Sequence, residues 1–163
     1  MEGKARPGAS AEQALAAMDQ LIALSLVGQH DIALRLGLNV TDLTCLGHIL
    51  GAAEEGRPLF ARDLAALTNL TSGAITGVLD RLERAGYARR EPDPADRRRV
   101  RIVPEESAVE RATAVYGPFY RGLAELFADY TPDEIAVLND WFTRATDLMR
   151  NHLEEVRRGT GTA

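Results

Sequence analysis

Arginine is concentrated in one stretch of this chain, from Arg81 to Arg101. Eight arginines lie there, and a local formal charge of +4 remains after subtraction of four acids, which are Glu83, Glu91, Asp93 and Asp96. Because the whole chain carries −5, the remainder carries −9. Guanidinium groups bind phosphate oxygens, and this attraction is screened beyond about 10 Å, so an acidic protein can bind nucleic acid through one basic patch. The alternative is a solvated hairpin whose charges protect a strand edge.

The elements that carry these arginines are predicted from the residue pattern. Residues 87–91 and 98–103 read as two short strands around a charged turn. The preceding Thr71–Ala85 reads as an amphipathic helix that ends at Gly86, and a shorter helix over Ala61–Leu67 lies before it across a three-residue turn. This order is typical of a winged helix-turn-helix, whose second helix enters a DNA major groove while the hairpin lies on the neighbouring backbone or minor groove.

The exposed front of the Thr71–Ala85 helix is predicted to consist of small residues. Its outer face begins with Thr71, Ser72, Gly73 and Thr76, which permit close approach to phosphates and bases. Free N–H groups at a helix start also suit phosphate oxygens. Two glycines on a solvated face cost about 1 kcal/mol each relative to alanine, which favours contact with a ligand over an ordinary surface helix. The predicted inward positions are Ile75, Val78, Leu79 and Leu82.

Long helices are predicted on the N-terminal side of this region. Ser10 and Gln13 have the spacing of a capping box, and apolar residues then recur at helical spacing to Leu36. A second helix is predicted to begin with Thr41 as its N-cap and to end at Gly56.

Two more helices are predicted after the hairpin. The first covers Glu105–Tyr130, with a bend or an interruption at Gly117–Pro118. Thr131, followed by proline and two acids, is a strong start for the last helix, which runs to about Arg157.

The bulk composition limits the class of protein. The 163 residues suit one domain, predicted over residues 10–157 between flexible tails at 1–9 and 158–163. The lone cysteine excludes an intrachain disulfide, and the three histidines lack metal-ligand spacing, so no cofactor or metal is predicted. No signal-peptide core and no apolar run of about 20 residues occurs, so we expect a cytoplasmic protein without a membrane partner. No nucleophile elbow, Walker loop or GxGxxG motif is present, so we do not expect an enzyme.

Two runs of sequence together carry a family resemblance. The first, LGLNVTDLTCLGHIL, begins at Leu36, and the second, LAALTNLTSGAITGVLDRLERAGYARREPDPADRRRVRIV, ends at Val103. The ordered combination of helix-turn-helix, LDRLERAGY and DPADRRR resembles the MarR (multiple antibiotic resistance regulator) family of bacterial transcription factors, especially its actinobacterial-type members. Both flanking helical regions fit the layout of that family, so the resemblance covers most of the chain.

The resemblance implies a mainly α fold with a small β-hairpin wing. A winged helix-turn-helix lobe at 57–103 would be joined to dimerisation helices at 10–36 and 105–157. The homodimer would place two recognition helices in a pseudo-palindromic double-stranded operator, about one helical turn apart. The family further implies a repressor that a small aromatic or phenolic ligand releases through a population shift. The alternative is a winged helix used as a protein–protein interaction module without its own operator, and the arginine-rich wing argues against it.

The wing motif of the family can be placed on this sequence residue by residue. Its DxRDxR pattern falls on Asp93, Ala95, Asp96 and Arg98. Alanine at position 95 stands where the family often has arginine, so Arg97 and Arg98 are the predicted minor-groove or phosphate contacts. An acid in this motif braces the arginines in the family, which implies that Asp96 orients them rather than binding DNA.

The predicted DNA contacts lie on the helix front and on the hairpin. Arg81 could reach a base or a phosphate, and its alternative is an exposed ion pair with Asp80 or Glu83, which contributes little to stability. Arg62 is a candidate for a phosphate contact, whereas Arg99 could belong to a solvated strand face. The predicted set is Thr71, Ser72, Gly73, Thr76, Arg81, Arg90, Arg97 and Arg98.

Three further residues are candidates for a functional role. Cys45 lies on the apolar stripe of the second helix with no cation beside it in the sequence, so it is predicted to be a core residue and not a redox sensor. The resemblance places His48 and Tyr116 near the ligand cleft of the family. Their alternative role is ordinary packing at an interface.

Overall fold

The structure, a computed structural model, describes residues 7–159 of the chain. These residues fall into two compact units, residues 9–118 and residues 119–159, with residues 7 and 8 grouped with the second. The prediction of one domain over residues 10–157 stays a prediction. The predicted tails at 1–9 and 158–163 lie largely outside the described residues.

Helices dominate the described part of the chain. Six helices and one two-stranded antiparallel hairpin occur within residues 7–159, and the hairpin lies between the fourth and fifth helices. The mainly α fold with a β-hairpin wing is therefore confirmed, with every element within three residues of its predicted ends. The elements are α1 (Ala11–Arg35), α2 (Val40–Glu54), α3 (Ala61–Thr68), α4 (Ser72–Arg84), β1 (Ala88–Pro92), β2 (Val100–Pro104), α5 (Glu106–Phe127) and α6 (Pro132–Arg157).

The helix starts follow local side-chain chemistry. The capping box at the start of α1 is confirmed, because Ser10 Oγ accepts from the Gln13 N–H at 3.2 Å and the Gln13 side chain accepts from the Ser10 N–H at 2.8 Å. The prediction that Thr41 caps α2 is wrong. Asn39 is the cap, because its side-chain oxygen accepts from the Asp42 N–H at 2.8 Å and Thr41 already lies in the first helical turn.

Helix α5 passes through its proline without a break. The predicted interruption at Gly117–Pro118 is excluded, because Glu106–Phe127 is helical throughout and Pro118 lies inside it. The alternative, a bend, stays a prediction. A proline removes one N–H, so one carbonyl in the preceding turn loses its usual partner while the rest of the ladder continues.

The core of residues 9–118 lies between α2, α3, α4 and the wing. The four predicted inward side chains of α4 are all buried, each 2% exposed or less. They pack with a cluster that includes Leu46, Ile49, Leu64 and Ile102. Burial of one such aliphatic side chain contributes about 1.5–3 kcal/mol, so this packing fixes which face of α4 remains outside.

The hairpin, which we call the wing (residues 88–104), is anchored at its base. Its register pairs Ala88 with Pro104 and Pro92 with Val100. The Ile102 N–H donates to the Leu59 carbonyl at 2.8 Å, just before α3 begins. The wing is thus held to the helix-turn-helix by backbone as well as by side-chain packing.

Tyr87 connects the end of α4 to two other helices. Its ring is 2% exposed, and its hydroxyl donates to the Leu36 carbonyl at the end of α1, at 2.6 Å. The Arg111 Cζ of α5 lies 3.8 Å from the ring centroid, and Arg111 Nη2 donates to the Gly86 carbonyl at 2.6 Å. The position of α4 therefore depends on α1 and on the start of α5.

Exposed apolar side chains are confined almost entirely to three helices. Of the exposed large hydrophobics within residues 7–159, all but Val40, Leu67 and Val100 lie on α1, α5 or α6. No single helix of the described residues is long and apolar enough to cross a membrane, and α1 with α2 meets that test only as a pair, across a 91° bend.

Candidate nucleic-acid interface

The front of α4 is open and built from small side chains. Thr71 caps the helix, with its hydroxyl oxygen accepting from the Ala74 N–H at 3.2 Å. Ser72, Gly73 and Thr76 are exposed, and the Thr76 hydroxyl donates back to the Ser72 carbonyl at 3.0 Å. A Cβ added at Gly73 would meet nothing within 4 Å. Packing within the chain therefore does not require glycine there, and the small surface is available to an external ligand.

Arg81 is held by a buried acid from another helix. Its Nε donates to Asp42 Oδ2 at 2.8 Å and its Nη2 donates to Asp42 Oδ1 at 2.6 Å, a two-bond fork. The Asp42 side chain is 3% exposed and that of Arg81 is 43% exposed. The hydrogen bonds that Arg81 donates to Asp42 raise the pKa of Arg81 above its ordinary value. The partners considered from the sequence, Asp80 and Glu83, are wrong for this arginine.

An open cleft lies between the start of α2 and the front of α4. Its volume is about 460 Å³, and its lining includes Asn39, Thr41, Gly73, Gly77 and Arg81. The Asp42–Arg81 pair thus sets the spacing of the two helices at one side of this cleft.

Arg90 is also engaged by acids of the chain. Its guanidinium contacts Asp80 at 2.9 Å and pairs with Glu83, and its backbone N–H donates to Glu83 at 2.9 Å. Both acids belong to α4. Arg90 therefore ties the first strand of the wing to α4.

The arginines nearer the strand ends have acid partners too. Arg101 and Arg89 both bind Glu91, and Arg89 reaches Glu105 at 3.2 Å. These bonds, chiefly the one from Arg101, lower the pKa of Glu91. Three of the six arginines of the hairpin, Arg89, Arg90 and Arg101, are therefore neutralised in pairs.

The wing tip, residues 93–99, carries arginines that are not paired with any acid that the structure describes. Arg97 and Arg98 are exposed, and neither guanidinium has a hydrogen-bond or carboxylate partner among residues 7–159. Asp96 Oδ1 accepts from the Arg98 N–H at 3.1 Å, the backbone arrangement expected of a bracing acid. Two cations therefore project from a turn whose backbone is fixed.

Sequence reasoning missed a second acid in the tip. Asp93 is 6% exposed, its Oδ1 accepts from the Ala95 N–H at 3.0 Å, and its N–H donates to the Arg99 carbonyl at 2.9 Å. The Asp-Pro pair at the start of the turn was the available signal, because aspartate commonly bonds the backbone two residues on.

Comparison with known proteins decides the family. Residues 36–99 match the MarR family. The HTH-type transcriptional regulator YcgE of Bacillus subtilis is 35% identical over 123 residues, which cover 76% of this chain and 77% of YcgE. The chain belongs to the MarR family.

Solved structures of MarR-family fold agree. MepR of S. aureus bound to ethidium bromide matches with a TM-score of 0.58 at 18% identity, covering 82% of this chain and 95% of MepR. A MepR–DNA complex matches with a TM-score of 0.54 at 18% identity, covering 82% and 98%. Membership of the MarR family makes this chain a DNA-binding transcriptional regulator and not an enzyme.

The only cysteine of this MarR-family chain lies in the core. Cys45 is 0% exposed, and burial together with the nearby charge of Asp42 raises the pKa of its thiol to about 11. Although no cation is adjacent in the sequence, Arg81 lies close enough in space to lower that pKa, and the effect of burial is larger. At neutral pH the thiol stays protonated, which is the unreactive form.

His48 and Tyr116 are both partly buried in this MarR-family structure. Neither lines the cleft beside α4 or a smaller cleft of about 280 Å³ behind the second strand of the wing. Their role in a ligand pocket stays a prediction. Among the described residues, no group of three or more His, Cys, Asp or Glu side chains could hold a metal ion.

Proposed function

We propose that this MarR-family regulator is a homodimeric repressor that binds a pseudo-palindromic operator and is released from it by a small aromatic or phenolic ligand. One observation carries the DNA-binding surface. The open small-residue front of α4 belongs to one element, and the exposed Arg97 and Arg98, which have no partner among residues 7–159, belong to the next; the core holds both elements in place. The recognition-helix and wing motifs support placing it with the actinobacterial-type members.

The proposed contacts divide into two kinds. The start of α4, from Thr71 to Thr76, would face base edges and nearby phosphates, because its surface allows close approach. Arg97 and Arg98 would contact the adjacent backbone or minor groove. Arg81 and Arg90 carry internal ion pairs, so in this proposal they position α4 and the wing and do not read bases.

Dimerisation is supported by the apolar surfaces of α1, α5 and α6. Exposed aromatic and aliphatic side chains such as Phe119, Trp141 and Leu148 are more than 40% exposed in the isolated chain. Exposed apolar side chains in such number usually mark an interface. Light scattering at micromolar concentration should therefore give twice the 17.7 kDa chain mass.

Release by a ligand is supported by a relative and by one contact in the chain. MepR has been solved with ethidium bromide, an aromatic cation, and with DNA. In this chain Tyr87 links the end of α4 to α1 and α5. A ligand that favours a different arrangement of these helices would shift the population away from the DNA-competent state.

The decisive experiment is a gel-shift scan of DNA upstream of this gene and its neighbours, with and without phenolic compounds. We expect one duplex to be retarded at low protein concentration in excess nonspecific DNA, and a phenolic compound to release it. Failure of every duplex to shift, with a correctly folded dimer, would contradict operator binding. Pull-down of a protein partner in its place would favour the interaction module.

Replacement of Gly73 separates stability from DNA binding. Gly73→Ala should stabilise the protein by about 0.5–1 kcal/mol, because the fold has room for a methyl group and alanine is the better helix former. The same methyl group should weaken operator binding at the close contact. Urea unfolding and fluorescence anisotropy measure the two effects.

The matched control for that replacement is Gly47→Ala on α2, which also has nothing within 4 Å of an added Cβ. It should stabilise the protein similarly and leave the affinity unchanged. Unchanged operator affinity in Gly73→Ala would show that DNA does not approach the front of α4 closely.

A further inference from the structure

A cationic cluster forms where the start of α3 meets the wing. The Arg99 Cζ lies 3.7 Å from the centroid of the Phe60 ring, and the Arg62 Cζ lies 5.9 Å from the same centroid. The ring itself is 8% exposed. Two arginines that are 37 residues apart in the sequence are thus brought to one aromatic side chain.

The backbone beneath this cluster is fixed on both sides. The Phe60 N–H donates to Asp63 Oδ2 at 3.1 Å, and Phe60 forms a β-bridge with Arg101 of the wing. The Arg99 N–H donates to the Asp96 carbonyl and the Arg99 carbonyl accepts from the Asp93 N–H, both at 2.9 Å. The two guanidinium groups are therefore carried by an ordered support.

The contacts of Arg99 leave its donors available. A guanidinium stacked on a ring uses its flat face, while its N–H groups point outward in the plane and can still fork onto a phosphate. Among residues 7–159, the Arg99 side chain has no acid partner. The stack fixes the plane of the group and lowers the entropy lost when an anion binds.

Arg62 supplies a second cation that is only weakly engaged. Its Nε lies 3.4 Å from Asp63 Oδ1, and its side chain is 76% exposed. Two like charges beside one ring repel each other, and an anion placed between them removes that repulsion. Exposed pairs such as Arg62–Asp63 contribute little, so a phosphate competes easily for Arg62.

We propose that Arg62 and Arg99 clamp one phosphate of the DNA backbone, with Phe60 as the platform that orients Arg99. This inference rests on the proposed operator binding and assigns a contact separate from the wing tip. Backbone contacts fix register and orientation and carry no base sequence themselves. The clamp would therefore fix where the wing lies on the duplex.

The test uses the full-length dimer and a duplex selected from a random pool by the wild-type protein. Binding is measured by fluorescence anisotropy over a series of salt concentrations. Arg62→Ala should weaken binding about tenfold, as expected for loss of a charge-assisted hydrogen bond. The slope of log K against log salt should become shallower in Arg62→Ala. In the double variant Arg62→Ala/Arg99→Ala the total change should be about 0.9, the value for one phosphate and not for two, because both side chains share one phosphate.

Arg57→Ala is the matched control. It removes the same charge a few residues away, where the Arg57 Nε binds Glu55 at 2.9 Å. Its affinity and salt slope should equal those of the wild type. Arg62→Ala is the more informative single variant, because position 62 is exposed on a helix and alanine is a good helix former. An unchanged urea-unfolding midpoint would confirm that the variant is folded.

A second measurement identifies the phosphate. A set of duplexes carries one neutral methylphosphonate each, at successive backbone positions. At one position the substitution should weaken binding by the wild type and leave binding by Arg62→Ala/Arg99→Ala unchanged. Wild-type affinity and slope in Arg62→Ala, or equal sensitivity of both proteins at every position, overturns the clamp alone. Failure of the wild type to select any duplex overturns operator binding and the clamp with it.

Discussion

Arg97→Ala/Arg98→Ala is expected to lose at least tenfold in operator affinity, because two unpartnered cations disappear from the wing tip. The salt slope should also become shallower, by about 0.9 for each phosphate that loses its contact. Anisotropy titrations at several salt concentrations measure both quantities. The loss should fall on DNA binding and not on folding, because neither side chain packs against the core.

The adjacent pair Arg157 and Arg158, at the end of α6, provides a charge-matched control. Arg157→Ala/Arg158→Ala removes two positive charges from exposed positions and should leave the affinity near that of the wild type. An equal loss in the two double variants would mean that net charge, and not the wing tip, governs binding. Full affinity in Arg97→Ala/Arg98→Ala would remove the wing tip from the interface.

Arg81→Ala should destabilise the protein by about 2–3 kcal/mol. The replacement leaves the Asp42 carboxylate, 3% exposed, without its two-bond partner. Removal of one member of a buried pair costs about 3–5 kcal/mol, and the partial exposure of Arg81 reduces that figure. Urea unfolding at fixed protein concentration measures the change, since a dimer unfolds in a concentration-dependent way.

Two further variants make the interpretation unambiguous. Arg84→Ala, on the same helix, removes an exposed side chain that donates to the Asp80 carbonyl and has no acid partner in the described part of the chain, and it should cost no more than about 0.5 kcal/mol. Asp42→Ala/Arg81→Ala should cost less than the sum of the single changes, because the double variant removes both charges and leaves neither without its partner. If Arg81→Ala is as stable as Arg84→Ala but binds DNA poorly, Arg81 contacts DNA directly and its positioning role is refuted.

The helices could be predicted because local signals and periodicity agreed. The inward face of α4 follows from apolar spacing alone, and burial of all four predicted side chains confirms it. The exact first and last residues of the helices were harder to predict. Asn39 and Thr41 are both good caps by residue type, and only the extended backbone at Asn39 shows which of them precedes the first turn.

The arginines could be counted from the sequence but not assigned. Arg81 and Asp42 are 39 residues apart, and no local pattern joins them. Arg99 resembled one more solvated strand residue until the fold brought Phe60 beneath it. Charge composition therefore pointed to the candidate interface, whereas tertiary packing decided which cations remain available to a ligand.

Internal pairing of arginine has a consequence for how the protein searches a genome. With Arg81, Arg89, Arg90 and Arg101 neutralised by acids of the same chain, a misaligned duplex meets fewer free cations than the number of arginines suggests. Residence on random sequence should then be brief, because nonspecific affinity comes almost wholly from phosphate contacts. The regulator would spend little time on the many competing nonspecific sites. Its occupancy of the operator would then depend mainly on the contacts made at the correct site, and less on how much protein is bound to the rest of the chromosome.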